Sequence, residues 1–403
     1  MADGLIPVAD ALARILNAAR PMPVETVPLH EAAFRTLAAD LAATRTQPPF
    51  PASAMDGYAV RADDCVAGAR LKKIGEAAAG RAFHGTMGAG ETVRIFTGAP
   101  VPEGADAILI QENASVDGDT IIARETVSAG RFVRPRGLDF AEGDVLIQKG
   151  SVLNARALGL AAAMGHAALP VFRQPLVSVL ATGDELVRPG EPVGADQIVA
   201  SNSYAVCAMA RAKGARALDL GIARDTMASL NDALDRAEDE GTNILVTLGG
   251  ASVGDHDLVQ KALTARGMQL GFWKIAMRPG KPLIFGTLKD TIILGLPGNP
   301  VSSIVCTKLF LEPLIAALMG QPDAGADPSE PAILGADMAE NDLRQDYVRA
   351  RLETDPSGLP RVIPFGKQDS SMLRLLTECD ALLLRAPFAP AAKAGEQVRV
   401  IRL

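Results

Sequence analysis

The spacing of apolar and polar positions divides the chain into stretches of different texture. Leu12, Ile15 and Leu16 recur at helical spacing, which predicts a short helix over 11–19, and a second is expected over 29–41. The run Gln47 to Pro51 (QPPFP) ends that pattern, because proline cannot continue a helix and restricts its predecessor. From 46 to 140, β-rich pieces such as TVRIF, AILIQE and TIIARE are separated by Gly, Pro and Asp turns, predicting a small all-β unit. A helical segment follows around 155–164. Beyond 172, apolar runs at 176–181, 217–221, 244–248, 271–276 and 291–296 alternate with helical stretches over 204–213, 227–240 and 258–266. Gly214, Gly241 and Gly267 follow those helices, where a left-handed cap is wanted. Strands alternating with helices predict a mostly parallel sheet covered on both faces. After Gly320 the segment QPDAGADP reads as a linker, and short strands occupy the rest.

The expected fold is therefore α/β and multidomain. A helical linking domain takes 1–45 and 141–171, an inserted β domain 46–140, a mostly parallel α/β sandwich domain 172–320, and a separate small β unit 321–403. The length of 403 residues agrees, since it exceeds what one compact core usually holds.

Composition narrows the partners. Hydrophobic residues make up 48% and charged residues 22%, an ordinary globular balance. The net charge is -7 with no Lys/Arg run, so nucleic acid is not expected as a partner. Cys65, Cys207, Cys306 and Cys379 are far apart, which suggests neither a zinc knuckle nor a redox pair. The N-terminus lacks the basic and apolar regions of a signal peptide, and no uninterrupted apolar run reaches about 18 residues. A cytoplasmic protein without a membrane span is expected.

In an open α/β sheet, ligands bind at the carboxyl ends of the strands. Four predicted strands end in small or acidic residues: Thr182-Gly183-Asp184-Glu185, Arg224-Asp225, Gly249 to Asp257, and Pro297-Gly298-Asn299-Pro300-Val301-Ser302. In the Gly249 to Asp257 segment, Gly249 and Gly250 allow close backbone approach to a ligand, and the helix after Asp257 offers unpaired N–H groups to an anion. A tight turn is the plainer alternative for two glycines. Glu185, Asp225 and Asp257 form a candidate carboxylate set that would repel a phosphate unless a cation such as Mg²⁺ bridged them. Each acid could instead cap a helix. Lys274, Arg278 and Lys281 lie within eight residues, and Pro279, Gly280 and Pro282 exclude a helix there. Rigid cations beside a glycine-rich turn suit a phosphate or an oxyanion. Trp273 is expected in the core and His256 at the surface.

Seven segments, SAMDGYAVRADD (53–64), FTGAPVPEGADAI (96–108), TGDEL (182–186), GIARD (221–225), GGASVGDHD (249–257), FWKIAMRPGKP (272–282) and LPGNPVSS (296–303), occur in one order along nearly the whole chain. Together they resemble the molybdopterin molybdenumtransferase family. The resemblance implies an elongated homodimer with a C-terminal β-barrel. It also implies that molybdate and adenylylated molybdopterin yield molybdenum cofactor and AMP, assisted by Mg²⁺. By matching position, Glu185, Asp225 and Asp257 resemble the metal and pyrophosphate-cleavage acids, and Lys274 a further ligand-binding cation. Gly249, Gly250, Ser252, Gly254, Pro297, Gly298, Asn299 and Pro300 fall in the substrate-binding loops, and Arg278, Lys281, Ser302, Arg349 and Ser370 resemble molybdate-holding groups. Asp56, Thr97 and Asp139 resemble residues that reach the site from the partner subunit. The molybdopterin adenylyltransferase that acts one step earlier is the implied pathway neighbour.

The chain departs from the family pattern at Leu248 and Arg374, where Ser is common, at Ala200 in place of an acid, at Phe34 in place of Gly, and at Arg278 in place of Lys. The competing readings are the preceding adenylyltransferase, a non-enzymatic scaffold of the same fold, and a tungstate-inserting relative. The extra β units and the RPGKP loop favour the molybdenum-inserting enzyme over the first, and the retained acids favour it over the second.

Overall fold

The structure, a computed structural model, describes residues 5–250, 258–354 and 358–403. Its contacts define two compact units, one of Met1–Glu25, Phe34–Ala38 and Pro170–Leu403, the other of Thr26–Ala33 and Ala39–Leu169. Helix α1 (Val8–Ala18) starts directly after Pro7 and buries Ala11 and Ile15 in the core of the first unit.

The helix expected over 29–41 does not form. Leu29–Glu31 make one 3-10 turn, Phe34 takes a φ of 61°, and Leu41–Ala42 is a strand. A left-handed residue breaks the helical hydrogen-bond ladder. Leu37 and Leu41, four residues apart, are buried as extended residues, Leu37 through a bridge to Val171. The spacing that mimicked a helical face belongs to two extended segments.

The second unit centres on six strands: β1 (Gly57–Val60), β2 (Arg70–Ala77), β3 (Glu91–Ile95), β4 (Ala107–Ile110), β5 (Ala114–Asp117) and β6 (Thr120–Ala123). They lie in the order β4-β1-β3-β2-β6-β5, with β2 and β3 parallel. All of β1 is buried: Tyr58 and Val60 join one apolar cluster and Ala59 the other, so side chains fill both faces. Helix α2 (Ala155–Ala163) is capped by Asn154, whose side chain accepts from the N–H of Arg156 and Ala157.

In the first unit, β7 (Leu176–Thr182), β8 (Leu186–Val187), β9 (Ile198–Val199), α3 (Asn202–Ala212), β10 (Arg216–Ala223), α4 (Met227–Asp239), β11 (Ile244–Leu248), α5 (Leu258–Ala265) and β12 (Gln269–Lys274) follow in sequence. After them come β13 (Met277–Arg278), β14 (Pro282–Leu288), β15 (Thr291–Leu296), α6 (Pro300–Cys306) and α7 (Glu312–Leu318). The main sheet has the order β10-β7-β11-β15-β14-β12. Its first four strands are parallel; β14 runs antiparallel to them, and β12, antiparallel to β14, runs in their direction again. Every residue of β7 and β11 is buried, as parallel strands covered on both faces require. Val177, Val179, Val246 and Leu294 pack into one cluster and Leu180, Leu245 and Ile293 into the opposite one. Each such side chain stabilises the fold by about 1.5–3 kcal/mol. The stretch Pro300–Leu318 is long and apolar enough to cross a membrane, but Val301, Val305, Phe310 and Leu314 are wholly buried. It is a core helix, interrupted by a π turn at Thr307–Leu311.

The chain ends in a closed barrel of five strands: β16 (Glu330–Leu334), β17 (Gln345–Thr354), β18 (Pro360–Pro364), β19 (Ala381–Arg385) and β20 (Gln397–Arg402). The ring runs β17-β18-β16-β20-β19 and closes through β17–β19 pairing. Strand β13 adds to β17 in parallel register, Met277 opposite Gln345 and Arg278 opposite Asp346. The RPGKP loop therefore starts on the barrel sheet and ends at the start of β14.

Phe34 is exposed and left-handed, a conformation glycine adopts without a steric penalty. Phe34→Gly is expected to raise stability by up to about 1 kcal/mol, read as a higher Tm. A lower Tm would mean that the ring supplies packing that outweighs the backbone strain.

Candidate active site

Strands β7, β11 and β15 run in parallel register and end at Thr182, Leu248 and Leu296. A cleft of about 720 Å³ opens at these carboxyl ends. Thr182, Glu185, Gly249, Gly250 and the 297–300 loop line it from three strand ends; Lys274 at the end of β12 and Lys281 of the RPGKP loop add two cations. Leu186, Ile198, Val199, Ala200 and Leu248 contribute an apolar part, and Asn202, Ser371 and Leu373 complete it. Of the residues expected at the site, this cleft gathers Glu185, Gly249, Gly250, Lys274, Lys281, Pro297, Gly298, Asn299 and Pro300.

Local bonds fix the loops. The Thr182 hydroxyl donates to the Leu248 carbonyl at 3.3 Å, tying two strand ends together. Asn202 Nδ2 donates to the Gly298 carbonyl at 2.6 Å, and Asn299 Nδ2 to Ser370 Oγ at 3.0 Å. The Val301 N–H donates to the Ser370 carbonyl at 3.1 Å, so Ser370 braces the 297–300 loop through both its side chain and its backbone. Ser302 is buried within α6 and does not line the cleft. A Cβ on Gly183 would fall 2.3 Å from Glu185 Oε2; the space that glycine leaves is where the carboxylate folds back. Gly250 has a φ of 64°, and a Cβ there would meet Val259 at 2.6 Å, so this turn admits glycine alone.

Asp225 lies at the end of the neighbouring strand β10. Its N–H donates to Asp184 Oδ1 at 3.2 Å, and the Arg224 guanidinium donates to the Asp184 and Leu186 carbonyls at 2.9 and 3.1 Å. The cap of α4 is Thr226, whose hydroxyl accepts from the Ser229 N–H. The Asp225 carboxylate is thus not used in capping, which removes the plain structural reading of that acid. Among the described residues no donor is bonded to the side chain of Glu185 or Asp225. Ser252, Gly254, Asp255, His256 and Asp257 lie outside the described residues.

Arg278 and Arg349 take different places. Both line a second cavity of about 470 Å³ on the barrel, together with Asp346, Gln368 and Arg385. Arg278 is bonded to Asp346 and lies 3.3 Å from both Asp342 and Asn341. The bond it donates to Asp346 holds the guanidinium even more firmly protonated than usual, against a smaller opposing effect of burial. Arg349 is 1% exposed, and among the described residues neither terminal guanidinium nitrogen has a hydrogen-bond partner. Burial pushes its pKa down, because a charged group is taken out of water. A buried cation without an acceptor is costly and suits a site that receives an anion.

The second unit carries the other expected residues. Asp56 Oδ1 accepts from both the N–H and the hydroxyl of Thr97 at 2.8 Å, and these bonds hold the carboxyl below its ordinary range. Arg94 stacks over Tyr58 and Phe96 beside them. Asp139 is exposed and donates its N–H to the Gln47 carbonyl. Asp56 and Thr97 are therefore one bonded pair, and Asp139 stands apart from it in the bonding.

Known proteins decide the family. Residues 6–165 match the MoeA N-terminal region (domain I and II), 178–317 a probable molybdopterin binding domain, and 331–403 the MoeA C-terminal region (domain IV). A molybdopterin molybdenumtransferase of Haemophilus influenzae is 35% identical over 383 residues, covering 94% of each chain. Molybdopterin molybdenumtransferase 2 of Mycobacterium tuberculosis is 36% identical over 400 residues, 96% of each. The chain belongs to the molybdopterin molybdenumtransferase family. The crystal structure of a molybdopterin biosynthesis MoeA protein from Pyrococcus horikoshii shares this architecture, with a TM-score of 0.83, 29% identity and 99% coverage of both chains. Membership makes the chain a transferase of molybdenum cofactor biosynthesis.

Several cleft residues of this family member escaped sequence reasoning. Ile198, Val199 and Asn202 follow a Gly/Pro-rich loop whose register the sequence hides. Ser371 and Leu373 come from the barrel, which no strand-end argument reaches. Trp273, expected in the core, is 41% exposed, and its neighbour Phe272 is the one residue of β12 that is buried.

Two outcomes follow from these charges. Arg349→Met keeps the volume and removes an unpaired buried charge, so it is expected to raise stability by about 1–3 kcal/mol in denaturant unfolding. A destabilised variant would show that the guanidinium is paired in the folded protein. Asp342 is held at about 2 by bonds from the Arg344 side chain and N–H. Its folded pKa lies below the unfolded value of 3.8, so its contribution is complete above 3.8 and is lost as the pH falls toward about 2. Asp342→Asn is expected to flatten the acid-unfolding curve in that window, and an unchanged curve would exclude the contribution.

Proposed function

We propose that the cleft at the ends of β7, β11 and β15 binds adenylylated molybdopterin, and that molybdate delivered there yields molybdenum cofactor and AMP. The observation that carries this reading is the pairing of two lysines and one carboxylate around glycine backbone in a cleft of about 720 Å³, large enough for a nucleotide-sized ligand. Lys274 and Lys281 would meet phosphate oxygens, and the Gly249-Gly250 turn lets the backbone approach them without side chains intervening. Leu186, Ile198, Val199, Ala200 and Leu248 offer an apolar surface for a flat heterocycle.

Molybdate is the substrate oxyanion, and Arg349, Lys281 and Ser370 are the groups proposed to hold it, while Arg278, already paired with Asp346, holds the loop and Ser302 lies buried in α6. The unpartnered buried guanidinium of Arg349 supports that assignment, and Ser370 stands beside the 297–300 loop through its bond with Asn299. Asp225 and Glu185 are oxygen donors on neighbouring loops, the type of ligand Mg²⁺ takes one or two at a time together with phosphate oxygens. Bound Mg²⁺ would neutralise charge on the phosphoanhydride. The acids orient it, and the lysines stabilise the negative charge that the departing AMP carries away. Asp257 is the third acid in this proposal, and Ser252 and Gly254 belong to its loop. The protein is read as a cytoplasmic homodimer that follows a molybdopterin adenylyltransferase in its pathway, with Asp56, Thr97 and Asp139 serving the partner subunit's cleft.

The deciding measurement is molybdate-dependent AMP release from adenylylated molybdopterin. Release is expected to need both molybdate and a divalent cation and to stop on chelation. Glu185→Gln and Lys281→Met are each expected to lower its rate by about 10²–10³-fold, the usual loss on removing one preorganised electrostatic group. Folded variants that keep wild-type rates would place the chemistry elsewhere.

A further inference from the structure

Lys274 lines the cleft, but a lysine on four rotatable bonds is a poorly placed cation unless something holds it. Two features of the structure do. The first is its backbone: the Ile6 N–H donates to the Lys274 carbonyl at 3.3 Å, and the Ala276 N–H returns a bond of 2.8 Å to the Ile6 carbonyl. The second is its ammonium, which lies 4.0 Å from the centre of the Trp273 ring.

That second contact is unusual in a strand. Consecutive residues of a regular strand point to opposite faces, so a ring at 273 and an ammonium at 274 would be kept apart. Here the pairing of β12 with β14 slips: Phe272 is opposite Phe285 but Lys274 is opposite Pro282. Between these pairs one residue of β12, Trp273, stands against two of β14, and a further slip falls between Leu270 and Phe272, irregularities of the kind that re-aim side chains next to sites. Lys274 stands at this slip and folds back over its neighbour. The indole is at the surface, so it is neither a core residue nor itself a lining residue of the cleft.

We propose that Trp273 is a positioning residue: its ring holds the Lys274 ammonium at the rim of the cleft, ready for a phosphate oxygen of the ligand. The proposal rests on the reading of the cleft given above. It also supplies its own probe, since Trp273 is the only tryptophan of the chain and its fluorescence reports on Lys274 directly.

The test uses the full-length protein, with AMP as the probe ligand. Lys274→Met is expected to change the tryptophan emission before any ligand is added, because the cation leaves the ring. AMP is expected to shift the emission of wild type and not of Lys274→Met. For AMP release, Trp273→Leu is expected to raise KM for adenylylated molybdopterin about two- to five-fold with kcat within a factor of two, the scale of an exposed cation–π contact. Trp273→Phe, which keeps an aromatic face, is expected to recover most of that loss, and Trp273→Leu in a Lys274→Met background is expected to add none, whereas a merely structural ring would lower kcat in either background. Emission unchanged by Lys274→Met would overturn the contact. Wild-type KM in Trp273→Leu, with KM raised in Lys274→Met, would overturn the positioning role and leave the cleft assignment standing. Unaltered AMP binding and turnover in Lys274→Met itself would overturn both.

Discussion

The parallel pairing of β11 between β7 and β15 is the constraint on which the first unit depends. Three buried strands in one direction must release their chains at one edge, where no partner strand satisfies the backbone. Thr182, Leu248 and Leu296 are the last residues of those strands, so the TGDEL, Gly-Gly and PGNP segments are brought to one edge by hydrogen-bond geometry. Strand ends 66 and 48 positions apart in the chain meet at one cleft. The core underneath is apolar on both faces, which leaves this edge as the place for polar chemistry.

The charges at the site divide into paired and unpaired groups, and the division carries meaning. Arg278 is surrounded by Asp342, Asn341 and Asp346, so its charge is already answered within the protein. Arg349, close by on β17 and in the same cavity, has no such acceptor among the described residues. Two arginines that look alike in sequence are thus different in energy. An incoming oxyanion gains more from Arg349, where it relieves an existing desolvation cost, than from Arg278, where it must compete with carboxylates. Arg278 is better suited to holding the loop. Its bond to the barrel fixes one end of RPGKP, and Lys281 at the other end faces the cleft.

Legibility in the sequence followed the physics of each element. The parallel strands were readable because burial on both faces demands continuous apolar runs, and ILVTL at 244–248 admits few other readings. The second helix was misread because Leu37 and Leu41 have helical spacing, while the left-handed turn at Phe34 leaves no signal when a phenylalanine occupies it. Strand β14 was missed because its pattern begins with the proline that closes the RPGKP loop. At the site, glycines and acids at strand ends were visible from spacing. Ser371 and Leu373 were not, since only the closed barrel brings them to the cleft. The placement of Arg349 away from the main cleft, and the absence of an acceptor for its terminal nitrogens among the described residues, are properties of burial that no motif encodes.

The one tryptophan shows how a local irregularity can do what composition does not announce. An aromatic residue between Phe272 and Lys274 reads as core by hydropathy, and alternation alone would settle only which of 272 and 273 faces inward. The slip against β14 adds a third possibility, in which the outward ring meets the next side chain along the strand. A regular ladder would have placed the lysine and the ring on opposite faces, leaving the ammonium to solvent and its rotamers. Strand β14 starts at Pro282, immediately after Lys281, and Lys274 is paired with Pro282, so both cleft lysines stand at the same end of the β12–β14 pairing. Register at this edge of the sheet, more than the identity of any single cation, decides which positive charges stand beside the cleft.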